Sequence, residues 1–192
     1  MKTIRKTAQG TANSQPKKRS QRSTTEWCKL AERELQKIIA QAITIPAVKK
    51  LGPKPATAWT ASVSLIGAPA MTRLNSTYRG KNRPTDVLSF NSPEIFQKQG
   101  LLGELVICLP VLKRQARELK HTPELELKVL LVHGLLHLLG MDHELGPKQA
   151  VEQAKYEQKI LEKLLTGRSK AASKQGQLKA TKMVRGLIQR AE

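Results

Sequence analysis

Between Val129 and Leu139 the chain reads V-L-L-V-H-G-L-L-H-L-L, apolar on every side of a helix apart from two histidines and a glycine. A helix that is hydrophobic all round offers no face to water and has to lie inside its domain. Its start is well marked. Thr122 suits the N-cap and Pro123 the first helical position, and Glu124 and Glu126 in the first turns suit the helix dipole. The rest of the domain must therefore supply layers that cover this helix, and with aromatic content of only 3% those layers are built from Leu, Ile, Val and Ala.

The same stretch carries chemistry. His133, His137 and His143 are three of the four histidines, gathered within eleven residues. The first two stand at i and i+4, on one face of a helix and one turn apart. Gly140 suits the left-handed residue that ends a helix, after which the chain can turn back and bring His143 toward the pair. A lone histidine on an apolar helix is usually a satisfied core residue. Three at ligand spacing across a helix stop favour a metal, and a buried imidazole needs such a partner. Three imidazole nitrogens leave one position open on a tetrahedral Zn2+, the catalytic arrangement, so one zinc ion per chain is expected. Zinc peptidases of the H-E-x-x-H type place a glutamate directly after the first histidine as general base. Here that position is Gly134. The spacing H-x-x-x-H-x-x-x-x-x-H is metzincin-like, but the base is missing, which favours chemistry other than peptide hydrolysis.

Two further stretches join this one. Asn75 to Phe90 reads N-S-T-Y-R-G-K-N-R-P-T-D-V-L-S-F and Gly103 to Cys108 reads G-E-L-V-I-C. With H-G-L-L-H-L-L-G-M-D-H they resemble the YbeY family of bacterial, single-strand-specific, metal-dependent endoribonucleases. The resemblance covers roughly Trp59 to Glu144. It implies a role in ribosomal RNA processing, including the 3′ end of the small-subunit RNA, and in ribosome quality control. It implies single-stranded RNA, ribosomal RNA and the ribosome as partners. It also implies that Arg79, aligned with the family's arginine in N-x-x-Y-R, is catalytic. No small-molecule cofactor is expected.

The formal net charge of +19 points to a polyanionic partner. Residues 1–25 hold seven Lys/Arg and no acid, and residues 166–192 hold seven and one acid, so most of the excess lies at the two ends. The expected organisation is a basic, disordered arm over 1–25, a single hydrolase domain over 26–165 and a basic tail over 166–192. Either end is equally readable as a merely solvated run. The composition of residues 1–25 also describes an organellar transit peptide, but a bacterial cytoplasmic protein with a basic arm is the reading taken. Cys28 and Cys108 form no C-x-x-C pair and indicate neither a disulfide framework nor a thiolate site; Cys108 reads as a buried small hydrophobe. No apolar stretch is long enough to cross a membrane.

Along the chain, Leu30, Leu35, Ile38, Ile39 and Ala42 follow a helical period from Glu26 to about Lys50, bent at Pro46. Ala58 to Ile66 alternates as a half-buried strand around Trp59, Ala61, Val63 and Leu65. Ala68 to Arg79 reads as a short helix, with Tyr78 extending the Met71–Leu74 stripe into the core rather than stacking on a base. Thr85 to Phe90 is a second strand, with Pro84 at its start or on an edge. Ser92 to Gly100 is a loop, Gly103 to Leu109 a third strand, and a helix follows Pro110 to about Lys120. Gly146-Pro147 opens a last helix with Val151, Ala154, Ile160, Leu161, Leu164 and Leu165 available for docking. The pattern predicts an α+β fold: a small mixed β-sheet with helices packed on it, and the histidine helix buried at the centre.

Zinc held by His133, His137 and His143 lowers the pKa of a water to about 7. Charge developing on phosphorus needs a further cation, and a guanidinium grips phosphate oxygens through a fork of donors. Arg79 fits that role; a surface arginine closing a helix is the plainer alternative. Asp142 is equally readable as an orienting partner of a ligand histidine or as a turn cap. Asp86 and Ser89 read as structural, Glu144 as a proton acceptor or an exposed carboxylate, and His121 has no assigned role. A zinc peptidase, and a non-catalytic ribosome-associated factor with a structural metal, stay beside the nuclease as rival readings.

Overall fold

The computed structural model describes residues 22–54, 58–142 and 146–166. Among these residues the elements run α1 (Thr24–Ala42), α2 (Pro46–Lys49), β1 (Thr60–Ile66), α3 (Ala68–Arg79), β2 (Val87–Asn91), α4 (Glu94–Gln97), β3 (Leu101–Cys108), α5 (Leu109–Glu118), α6 (Pro123–Leu138) and α7 (Pro147–Thr166). The basic ends outside residues 22–166 lie outside the described residues, as does His143.

α6 is the apolar helix, and it lies where its composition requires. Thr122 caps it, its hydroxyl accepting from the Leu125 N–H at 3.3 Å. Leu127, Leu131, Val132, Leu135 and Leu136 are fully enclosed, each contributing roughly 1.5–3 kcal/mol by leaving water. The covering layers are α1, α5 and α7 on the helical sides and β2 and β3 beneath. Gly140 takes φ +85 just past the helix, a left-handed conformation that L side chains resist.

The sheet has the strand order β1-β3-β2, with β1 parallel and β2 antiparallel to the central β3. It is small and mixed, and the fold is α+β. Alternation along β3 divides the core in two. Leu105 and Ile107 join Val87 and Ala61 in the main cluster under α6 and α1. Val106 and Cys108 join Leu88, Met71 and Val111 in a second, smaller cluster under α3 and α5. α3 and α6 thus lie on opposite faces of the sheet, and β2 is one of its two edge strands.

Leu30, Leu35, Ile38, Ile39 and Ala42 of α1 are all buried, as their period requires. Two local expectations change. One short helical turn, α4, interrupts the stretch read as a loop between Ser92 and Gly100. Val151, expected to dock α7, is 52% exposed, because the inward stripe of that helix runs through Gln153, Glu157, Ile160 and Leu161 instead.

Candidate active site

His133 and His137 project from one face of α6, as their spacing predicts. Their Nε2 atoms are 3.1 Å apart and their rings meet at 64° with centroids 4.7 Å apart. Nitrogens bound at 2.0–2.1 Å to one tetrahedral zinc lie about 3.3 Å from each other, so the pair fits a shared ion. The opposite nitrogen of His133 is already engaged. Its Nδ1–H donates to Glu157 Oε1 at 2.8 Å, which leaves the Nε2 lone pair facing His137. Gln153, one turn earlier on α7, donates from Nε2 to the same carboxylate oxygen at 3.2 Å and lies 3.2 Å from His133 Nδ1. Gln153 and Glu157 are both buried. A polar pair at i and i+4 inside an otherwise apolar stripe was the sequence signal for them, since such groups are buried only with partners.

Gly134 has a steric reason. A Cβ built there would come within 2.7 Å of Leu105 Cδ2 and 3.3 Å of Ser89 Oγ. The α6 backbone rests directly on the sheet at this point, and Ser89 Oγ donates to the Gly134 carbonyl at 3.3 Å. Asn91 Nδ2 secures the next turn by donating to the Leu138 carbonyl at 3.1 Å. A glutamate at 134 would be driven into Leu105, away from the imidazole face. The peptidase arrangement therefore lacks both the base and the room for one.

Arg79 ends α3, which stops at Gly80 with φ +66. It lines a cavity of about 310 Å³ with Asn75, Lys81, Arg83, Thr85 and Arg114, and neither histidine belongs to that lining. The cavity holds four cationic side chains and no acid. Asn75, 1% exposed, ties α3 to the loop by donating from Nδ2 to the Arg83 carbonyl at 2.7 Å. Asp86 is structural, as expected: Oδ1 accepts from Val87 N at 2.8 Å and Oδ2 from Gln115 Nε2 at 2.8 Å. The structure thus pairs His133 with His137 on α6 and sets Arg79, at the end of α3, in a cationic cavity.

Tyr78 corrects the sequence reading. It is 64% exposed, not core, and meets the Phe90 ring edge-on at 4.9 Å and 71°. The last turn of α3 overhangs the β2 edge, so the stripe through Met71 ends before it. His121 and Glu126 form a further buried pair. Glu126 is 3% exposed, and burial, then the Asp86 charge, pushes its carboxyl up to about 7. Glu126 Oε2 is 3.0 Å from His121 Nε2, but the two are too poorly aligned for a hydrogen bond, and neither of these two atoms has a hydrogen-bond partner among the described residues.

The family model for Endoribonuclease YbeY matches residues 20–165. Endoribonuclease YbeY of Aquifex aeolicus (strain VF5) is 46% identical over 103 residues, covering 54% of this chain and 69% of that protein. The protein of that name from Sulfurihydrogenibium sp. (strain YO3AOP1) is 44% identical over 104 residues, covering 54% and 68%. The solution structure of TM1509 from Thermotoga maritima matches 80% of this chain and 94% of its own, at 26% identity and a TM-score of 0.45. The matched span of the family model takes in both imidazoles, their buried Glu157 and the whole cationic cavity, and this chain belongs to the Endoribonuclease YbeY family.

Proposed function

We propose that this protein is a zinc-dependent endoribonuclease that hydrolyses phosphodiester bonds in single-stranded RNA. Its substrate is ribosomal RNA, at the small-subunit 3′ end, and its setting is the bacterial cytoplasm, where ribosomes mature and are quality-controlled. The observation that carries this reading is the His133–His137 pair, with Nε2 atoms 3.1 Å apart and one ring fixed from behind by Glu157, in a chain of this family.

His133 and His137 would hold the ion, with His143 as the third ligand expected from the sequence. When bound, zinc supplies Lewis acidity toward a phosphate oxygen and eases the deprotonation of water. Glu157 keeps the His133 tautomer with its lone pair on Nε2. Arg79, with Lys81, Arg83 and Arg114 around the same cavity, would bind phosphate oxygens, and its fork of donors would hold the charge that builds on phosphorus. Gly134 supports the choice against peptide hydrolysis, because H-E-x-x-H enzymes carry the base at that position and a side chain there would press on Leu105. The basic ends would add phosphate contacts of their own.

Cleavage of a fluorogenic single-stranded RNA, with a matching duplex and casein as controls, tests the reading. Chelator-sensitive cleavage of the single strand alone is expected. Casein cleavage would instead support a peptidase, and no turnover on any substrate a binding factor with a structural metal.

A further inference from the structure

Tyr78 is a large, exposed aromatic ring that the fold holds in place. It meets the Phe90 ring at 71° with centroids 4.9 Å apart and remains 64% exposed, so the packing restrains a ring that solvent reaches. Its partner belongs to β2, whose residues also touch α6. Phe90 lies between Ser89, which touches α6 at Gly134, and Asn91, which touches α6 at Leu138. Those two contacts bracket the turn of α6 that ends in His137. On its other side Tyr78 is followed by Arg79, on the rim of the cavity with Lys81, Arg83 and Arg114. Tyr78 thus sits beside the β2 residues that contact α6, with Arg79 next to it in the chain.

We propose that Tyr78 is a base-stacking platform, gripping an unpaired RNA base while the neighbouring cations hold the flanking phosphates. This rests on the RNA-cleaving reading above and adds the origin of its single-strand selectivity. Bases within a duplex are already stacked and cannot reach a ring on the protein surface, whereas an unpaired base splays onto it. Every base has a π-face, so such a platform selects strand state and tolerates sequence. The cavity lining carries four cations and no acid, which favours a polyanion over an apolar protein segment as the occupant.

The experiment measures affinity of the full-length protein for a short labelled single strand, for its duplex, and for a set of single strands each carrying one abasic position. Binding is read before turnover, with strand intactness checked on a gel. Tyr78→Ala should weaken single-strand binding about 5- to 150-fold, the span of one base–aromatic stack. Tyr78→Leu, which keeps an apolar cover on Phe90 but has no π-face, should behave like Tyr78→Ala. Tyr78→Phe and Tyr78→Trp should bind like wild type. Duplex binding and the salt dependence of single-strand binding should not change, since stacking releases no counterions. One abasic position should reproduce the loss in wild type and have no effect in Tyr78→Ala. Wild-type affinity in both Tyr78→Ala and Tyr78→Leu, or an equal loss on duplex, would overturn the platform while leaving the RNA reading intact. A wild-type protein that binds no single strand would overturn both.

Discussion

The two faces of the sheet treat polar groups in opposite ways. Under α6, half-buried His133 is held by Glu157 and Gln153, both buried. Under α3 and α5, Arg79, Lys81, Arg83 and Arg114 rim an open cavity, three of them at the end of a helix or on the loop beyond it. The first arrangement suits groups that must not move, because packed surroundings fix rotamers and tautomers at no cost during reaction. The second suits a flexible polyanion, whose phosphates need charge more than exact placement. In the proposed reaction the α6 side would hold the metal, and the end of α3 would bring the Arg79 guanidinium to the phosphate, where its donors hold the charge on phosphorus.

Mutations on the two faces should therefore fail differently. The largest effect is expected for His137→Ala, which should lose bound zinc and fall below about one thousandth of wild-type turnover, beyond the range for one preorganised donor. Elemental analysis beside a cleavage assay checks both losses. Arg79→Ala should cost about 100- to 1000-fold in turnover with zinc content unchanged, and Arg79→Lys should not restore it, since a point charge lacks the fork. Metal loss in an Arg79 variant would erase the division between the faces. Glu157→Ala should weaken zinc about 10- to 100-fold in competition with a chromophoric chelator, by freeing the His133 ring. An unchanged zinc affinity would reduce Glu157 to a packing residue.

The smallest effect concerns stability. The Glu126 carboxyl is pushed up to about 7 by burial and then by the Asp86 charge, with His121 also near. A folded value above the unfolded one means the native state binds the extra proton between about 4.5 and 7. The associated stability is full at low pH and lost as pH rises through about 7. It amounts to at most about 3 kcal/mol. Glu126→Gln should flatten the decline in thermal midpoint between pH 5 and pH 8 relative to wild type. Parallel declines would mean that the carboxyl titrates as if in water.

Much of this was legible because burial leaves strong marks. An apolar run from Val129 to Leu139 can only be a central helix, and the i, i+4 histidines on it can only share a face. What was not legible depends on which neighbour lies opposite. Gly134 reads in the sequence as a missing base, whereas its cause is Leu105, a residue of β3 far away in the chain. Tyr78 obeys the period of a core stripe, but the helix outruns the sheet beneath it, and no pattern within α3 records where β2 ends. Acidic and amide residues on a helix are usually solvated, so only their place in the Ile160–Leu161 stripe marks Glu157 and Gln153 as buried. His121 and Glu126 stood five residues apart with no periodic signal linking them.

RNA cleavage is proposed to depend on one zinc held by the imidazoles of α6. Zinc titration of metal-stripped protein, followed by single-strand cleavage and by thermal midpoint together, tests it most directly. Both readouts should rise and saturate at one ion per chain in the wild type, and neither should respond in His137→Ala. Cleavage that is complete without added metal, or that responds to zinc equally in His137→Ala, would contradict the account.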